Sequence, residues 1–284
     1  MSGSETAEEP RQKHAWKGDG NGAGGQGPHL EVTSLQKSFG DTKVLTDVNM
    51  SIGRGHIAVI IGGSGAGKTT LLRILIGLER PSSGSVKISG QDIANLNDRE
   101  LNKMRRKFGM VFQYSALLDS MNVMDNVAFP MREHTKLSDK EIKQQVIDKL
   151  NSLGLENVEK RFPSQLSGGM RKRVALARAL MLEPEIIMYD EPTSGLDPVT
   201  SRMVDDLIVE TRKKFGVTSV IISHDMVGAL QIADEIYLLS KGSIVASGSP
   251  QELIHGNNAL LHQFLESSGV TAMPGAAEKL AHSD

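Results

Sequence analysis

Apolar and polar positions alternate over LEVTSLQKSF and VLTDVNMSI, with β-branched residues in both and the turn-forming GDTK between them, which predicts a pair of strands. HIAVIIG is instead a continuous apolar run, the pattern of a buried strand. A glycine-rich loop follows it, then TTLLRILIGL, where Leu71, Leu72, Leu75 and Leu78 recur at near-helical spacing. This is a strand, loop and helix unit. GSVKISG reads as a further short strand. The stretch from about Asn95 to Gln165 is mostly helical in pattern and more charged. Within it Ser138 and Glu141 make a capping box, after which Ile142, Val146, Ile147, Leu150 and Leu153 draw one apolar face. PEIIMYDEP and TSVIISHD are again continuous apolar runs ending in polar groups, as expected of parallel strands whose carboxyl ends present chemistry. EIYLLSKGSIVASG predicts a hairpin turning at Lys241-Gly242. No internal repeat and no sustained heptad pattern is present.

The expected organisation is a disordered extension over 1–28, one α/β domain over 29–265 with a helical subdomain at about 95–165, and a loosely ordered tail over 266–284. The N-terminal stretch mixes charges with glycines and lacks an apolar segment that could serve as a signal sequence. With 284 residues, 39% of them hydrophobic, the chain can bury a sizeable core. A formal net charge of -2 gives no basic field for nucleic acid, so no nucleic-acid partner is expected. The absence of cysteine excludes disulfides, thiolate metal sites and cysteine nucleophiles. The longest apolar runs fall far short of the roughly 20 residues that span a bilayer. A role at a membrane is therefore expected to run through a partner.

The strongest chemical signal is GGSGAGKTT: Gly62, Gly63, Ser64, Gly65, Ala66, Gly67, Lys68, Thr69 and Thr70. It places G-x-x-x-x-G-K-[ST] between a predicted strand and a predicted helix. Glycines let successive N–H groups turn inward onto phosphate oxygens, and the helix N-terminus adds a favourable dipole. Lys68 would reach the β and γ phosphates, and the Thr69 hydroxyl would ligate Mg²⁺. Asp190, at the end of IIMYDE, can hold Mg²⁺ through water, and Glu191 can polarise an attacking water. His224 ends a third apolar strand, where an imidazole could contact the γ-phosphate; alone, such a histidine is more often a structural hydrogen-bonder. Gln113, directly after MVF, could complete a Mg²⁺ shell or simply be solvated. Phe39 could stack on adenine or belong to the core.

Taken in order, GGSGAGKTT, Gln113, LSGGM, IIMYDE, SGLD and His224 resemble the ATP-binding cassette (ABC) ATPases over about Leu30 to Gly256. The resemblance implies a P-loop NTPase fold with a mainly parallel core sheet, an antiparallel β subdomain and an α-helical subdomain. It implies Phe39 as the adenine-stacking aromatic, Gln113 as the Q-loop, Leu166 to Met170 as the signature, Ser194 to Asp197 as the D-loop and His224 as the switch histidine. Because two cassettes of this family pair head to tail, Ser167, Gly168, Gly169 and Asp197 join the cofactor-binding set of a second copy. ATP and Mg²⁺ are the implied cofactors. Catalysis would rest on Glu191, His224 and Lys68.

Most family members continue the signature with glutamine where this chain has Met170, which keeps length but loses the amide donor and acceptor. That methionine, with FQYSALLDSMNVMDNVAFPMREHT, is similar to the ATPases of MCE-associated, Mla-type lipid transporters. On this resemblance the chain would serve lipid transport from the cytoplasmic face of the inner membrane. A permease would dock near Gln113 to Thr135, with an MCE-domain protein and a STAS-domain protein as candidate further partners. Two alternatives stand beside it: an importer ATPase for polar amino acids or another small solute, and a cassette protein outside transport. The last usually carries tandem cassettes or long coiled coils, and neither pattern is visible.

Overall fold

The computed structural model describes residues 27–256 and Phe264, so the expectations for the N-terminal extension before residue 27 and for the tail over 266–284 lie outside the described residues. Ten strands form one hydrogen-bonded sheet in the order β5-β4-β1-β2-β10-β9-β3-β8-β7-β6. One end is antiparallel: β1 (Leu30–Phe39) pairs with β2 (Thr42–Ile52) and with β4 (Ser83–Ile88), and β4 with β5 (Gln91–Asp92). The rest is built on parallel neighbours β9 (Glu235–Ser240), β3 (Ile57–Ile61), β8 (Thr218–Ser223), β7 (Ile186–Asp190) and β6 (Phe108–Val111). The strand β10 (Ser243–Gly248) returns antiparallel to β9 through Lys241 and Gly242, both at positive φ, as a tight hairpin turn requires. β10 then meets β2 and joins the two halves.

Both faces of the parallel strands are covered, which explains their unbroken apolar runs. In β3, Ile57, Val59 and Ile61 enter the cluster shared with the helices α3 (Val123–His134), α4 (Asp139–Ser152), α5 (Gly168–Leu180) and α6 (Pro198–Phe215). Ala58 and Ile60 face the opposite cluster, with α1 (Lys68–Leu75), α2 (Asp98–Arg105) and the antiparallel strands. β7 divides in the same way, Ile187 and Tyr189 to one face and Ile186 and Met188 to the other. The smaller helices α7 (Met226–Ile232) and α8 (Pro250–His255) follow β8 and β10.

Two local expectations are corrected. Leu78 does not extend the apolar face of α1: Gly77 turns the chain at φ +70°, its N–H bonds to Ile74 O, and Leu78 is exposed. The stretch from Asn95 to Gln165, expected to be mostly helical, carries α2, α3 and α4 but also the unexpected strand β6 at Phe108–Val111, paired with β7. Four residues are too few for periodicity to separate strand from helix. α4 carries the capping box at Ser138 and Glu141, and Ile142, Val146 and Leu150 are buried along it.

Candidate functional site

The functional side chains gather where the parallel strands end. Gly62 follows β3 so closely packed that a Cβ there would lie 2.3 Å from Leu239 O; Gly67, at φ +105°, would drive a Cβ to 2.7 Å from Leu45 Cδ2. These two glycines are therefore demanded by sterics inside the chain. The loop between them delivers Lys68 and Thr69 into the first turn of α1. Among the described residues, α1 is the one α-helix without a side-chain cap: Asn97, Asn122, Ser138, Ser167, Asp197, Asp225 and Ser249 cap the others. Nor does its first turn hold an acidic residue. The leading N–H groups are left for an anion.

Lys68 Nζ donates to Gly62 O at 2.6 Å and Gly63 O at 3.2 Å, so the ammonium lies across the loop, 3.9 Å from Glu191 Oε1. Glu191 follows β7 in the left-handed region at φ +49°, an uncommon state for a non-glycine residue that is often found at active sites. The turn points its carboxylate at the next strand end, where His224 Nδ1 donates to Glu191 Oε2 at 2.7 Å. Glu191 is largely covered while His224 is mostly exposed. The structure thus brings together Glu191 and His224 from two strand ends and Lys68 from the glycine loop after β3. Asp190 sits one residue before Glu191; burial pushes its carboxyl up, Glu191 adds to this, and Lys68 opposes it.

Gln113 leaves β6 toward the same region. Its amide nitrogen donates to Ser194 Oγ at 3.1 Å and to Tyr114 Oη at 3.2 Å, so the loop after β6 touches the loop after β7. Among the described residues no group of three or more His, Asp or Glu side chains forms a cation cage. A Mg²⁺ ion nevertheless suits the chemistry of the donors present: the Asp190 carboxylate, the Thr69 hydroxyl and the Gln113 side-chain amide oxygen are hard oxygen donors, and Mg²⁺ commonly takes one or two carboxylates with substrate phosphates and water. The upward shift at Asp190 is the kind of strain that a cation relieves.

Phe39 is half exposed, with Lys37 Nζ 4.7 Å above its ring centroid. Asp197 caps α6, accepting from Val199 N and Thr200 N at 3.0 Å each and from Thr200 Oγ1 at 2.5 Å. Ser167 caps α5, accepting from Met170 N at 3.3 Å, and its O–H stays available as a donor. Among the described residues, a Cβ on Gly168 or Gly169 would meet nothing within 4 Å. Unlike Gly62 and Gly67, this pair is not required by packing within the chain. The Met170 side chain turns inward and packs against the helical core.

Several residues here carry no motif and were missed in the sequence. Lys172 donates to Gln113 O, and Arg178 donates to Ser115 O at 2.9 Å and Ala116 O at 2.7 Å. Asn126, fully buried, bonds Leu118 N, Leu118 O, Met121 O and Asn122 O. These groups shape the loop from Gln113 to Asn122, next to which Phe112, Tyr114, Leu118 and Phe129 stay exposed. A polar residue within an apolar helical face was the signal available for each.

The family model described as "ABC transporter" matches residues 45–194. A Mycobacterium leprae protein named "Probable ribonucleotide transport ATP-binding protein mkl" is 41% identical over 92% of this chain and 75% of its own length. The Escherichia coli K12 "Intermembrane phospholipid transport system ATP-binding protein MlaF" is 42% identical over 84% of this chain and 88% of its own. The Campylobacter jejuni "Methionine import ATP-binding protein MetN" is 39% identical over 88% of this chain and 80% of its own. Among solved structures, the cassette MJ0796, described as dimeric and bound to ADP and Pi, superposes with a TM-score of 0.68 at 32% identity, covering 78% of this chain and 98% of that one.

Proposed function

The chain belongs to the ABC transporter ATP-binding family and is an ATP-hydrolysing transport subunit, and from that premise we propose that it drives lipid movement across a cell envelope as one half of a head-to-tail homodimer. The observation that carries the catalytic reading is the convergence of Lys68, Glu191 and His224, with Glu191 Oε2 and His224 Nδ1 2.7 Å apart. In this reading Lys68 and the N–H groups of Gly63 to Thr69 grip the β and γ phosphates of ATP. Glu191 accepts a proton from the attacking water, held in line by His224, whose ring also contacts the γ-phosphate. Thr69, Gln113 and Asp190 would hold Mg²⁺, which supplies charge neutralisation between the phosphates. Phe39 would carry the adenine.

The second half of each site comes from the other copy. Ser167 has an O–H to donate, and Gly168 and Gly169 stand in open space, so their small size serves something outside the chain. Asp197 would act there by fixing the start of α6, since its carboxylate is engaged in capping. The exposed Tyr114, Leu118 and Phe129 beside Gln113 form an apolar surface for a permease helix within Gln113 to Thr135. Among the described residues no helix is long and apolar enough to cross a membrane, and we place the chain peripherally at the cytoplasmic face of the inner membrane. An MCE-domain protein, and a STAS-domain protein, complete the proposed complex.

Glu191→Gln is the direct test: turnover should fall by about 10²-fold or more while ATP binding stays within a few fold. Turnover near wild type would remove Glu191 from its role. The names of the MetN and mkl relatives support a second reading, transport of a small polar solute. Purification with the native membrane components separates the two. A permease with an MCE-domain protein and bound phospholipid supports lipid cargo; a permease with a periplasmic solute-binding protein overturns it.

A further inference from the structure

The helix α5 is capped by the signature residue Ser167 and runs for 13 residues from Gly168. At about 1.5 Å per residue it is a rod of roughly 20 Å. Two cations on it reach away from the signature to the loop after β6. Lys172, in the second turn, is 8% exposed. Its polar partner recorded among the described residues is the backbone carbonyl of Gln113. Burial lowers its pKa, because a neutral carbonyl offsets the lost hydration of an ammonium less fully than a carboxylate would. Arg178, in the last turn, donates to two further carbonyls of the same loop, Ser115 O and Ala116 O. Those two residues lie in the left-handed region at φ +64° and +45°, a state that persists only where the surroundings hold it. The loop so held carries the Gln113 amide, which meets Ser194 beyond β7.

We propose that Lys172 is a positioning residue, with Arg178 as its second anchor, that fixes the Gln113 loop to the signature helix so that a shift at Ser167 is delivered to the Gln113 backbone. The signature end of α5 and the loop beside the permease surface then move as one body. Contact between Ser167 and a nucleotide on the second copy would in this way reset the Gln113 loop without any change in that loop's own ligands. The inference rests on the head-to-tail reading above for its trigger, but the mechanical link itself is a property of the single chain.

Hydrogen exchange read by mass spectrometry tests both parts on the full-length protein. Lys172→Met keeps the reach of the side chain and removes the donor. Without nucleotide, amides over 113–118 should exchange at least fivefold faster in Lys172→Met, while β3 and β7 keep wild-type rates. Unchanged exchange over 113–118 overturns the proposal. Acceleration spread evenly along the chain, shared by Lys172→Arg, marks a packing role and also overturns it; Lys172→Arg should instead keep near wild-type exchange. In the Glu191→Gln background, ATP with Mg²⁺ should slow 113–118 at least threefold on dimer formation, and adding Lys172→Met should abolish that slowing although light scattering still shows the dimer. Slowing that survives Lys172→Met overturns transmission. Failure of Glu191→Gln to dimerise with ATP would count against the head-to-tail reading, and the nucleotide-free comparison would still decide the link.

Discussion

Met170 looked in the sequence like a lost contact at the signature, and its surroundings give it another task. Its N–H serves the Ser167 cap while its side chain packs on the helical core, which leaves Ser167 and the two glycines as the proposed phosphate contacts. Met170→Gln should therefore leave ATP turnover within about threefold and lower stability by about 1 kcal/mol through the half-buried amide, read as kcat and as a urea midpoint. Asp205 shows the opposite case, a residue without motif status whose chemistry comes from burial. Buried on α6 beside Asp225, its carboxyl is pushed up to about 6, by desolvation first and then by Asp225. The folded chain thus holds this proton more tightly than the unfolded one. The ionised group destabilises the fold increasingly as pH rises through the ordinary carboxylate range toward 6, and fully above it. Asp205→Asn should raise stability at pH 8 by about 1 kcal/mol, allowing for solvent screening, with the gain shrinking toward pH 4. Calorimetry at the two pH values checks the sign.

At the scale of elements, the decisive pieces are the segments between strands and helices. Strand ends place Glu191 and His224, while Lys68 is placed by the glycine loop, whose own path is set by Leu239 O and Leu45. The loop from Gln113 to Asn122 is held by Asn126 on α3 as well as by α5. Asn126→Ala would leave several buried backbone groups without partners, at a cost of about 2–4 kcal/mol. Equilibrium unfolding in urea should show that loss, with the midpoint falling at unchanged slope. The parallel strands β3, β7 and β8, the hairpin at Lys241-Gly242 and the α4 capping box were visible as residue patterns, because each depends on neighbours within a few positions. β6 was not, because its identity is set by pairing with β7, some 78 residues further along the chain.

For the whole molecule, the sheet must hold its antiparallel and parallel parts together, and a polar clip does part of this. His29, at the start of β1, bonds Thr218 Oγ1 at 2.7 Å and donates from Nε2 to Glu185 Oε2 at 3.1 Å, while Lys107 pairs with Glu185 at 2.8 Å. Burial alone would raise the Glu185 pKa, but the bonds from Lys107 and His29 outweigh it and hold it at about 2. The clip therefore contributes stability above the ordinary glutamate range that is lost as pH falls through that range toward 2. Glu185→Gln should lower the melting temperature at pH 7, and the difference from wild type should close as pH drops below about 4. The sequence by itself determined the family and marked the glycine loop, the two strand-end carboxylates and His224 as candidate site residues, because each lies in a short motif at a fixed offset. Tertiary structure alone decided that Glu191 meets His224, that Met170 turns inward, and that two cations of the signature helix grasp the Gln113 loop. Each of these joins residues far apart along the chain, and a contact between distant segments follows from how the sheet and helices pack, which local periodicity does not encode.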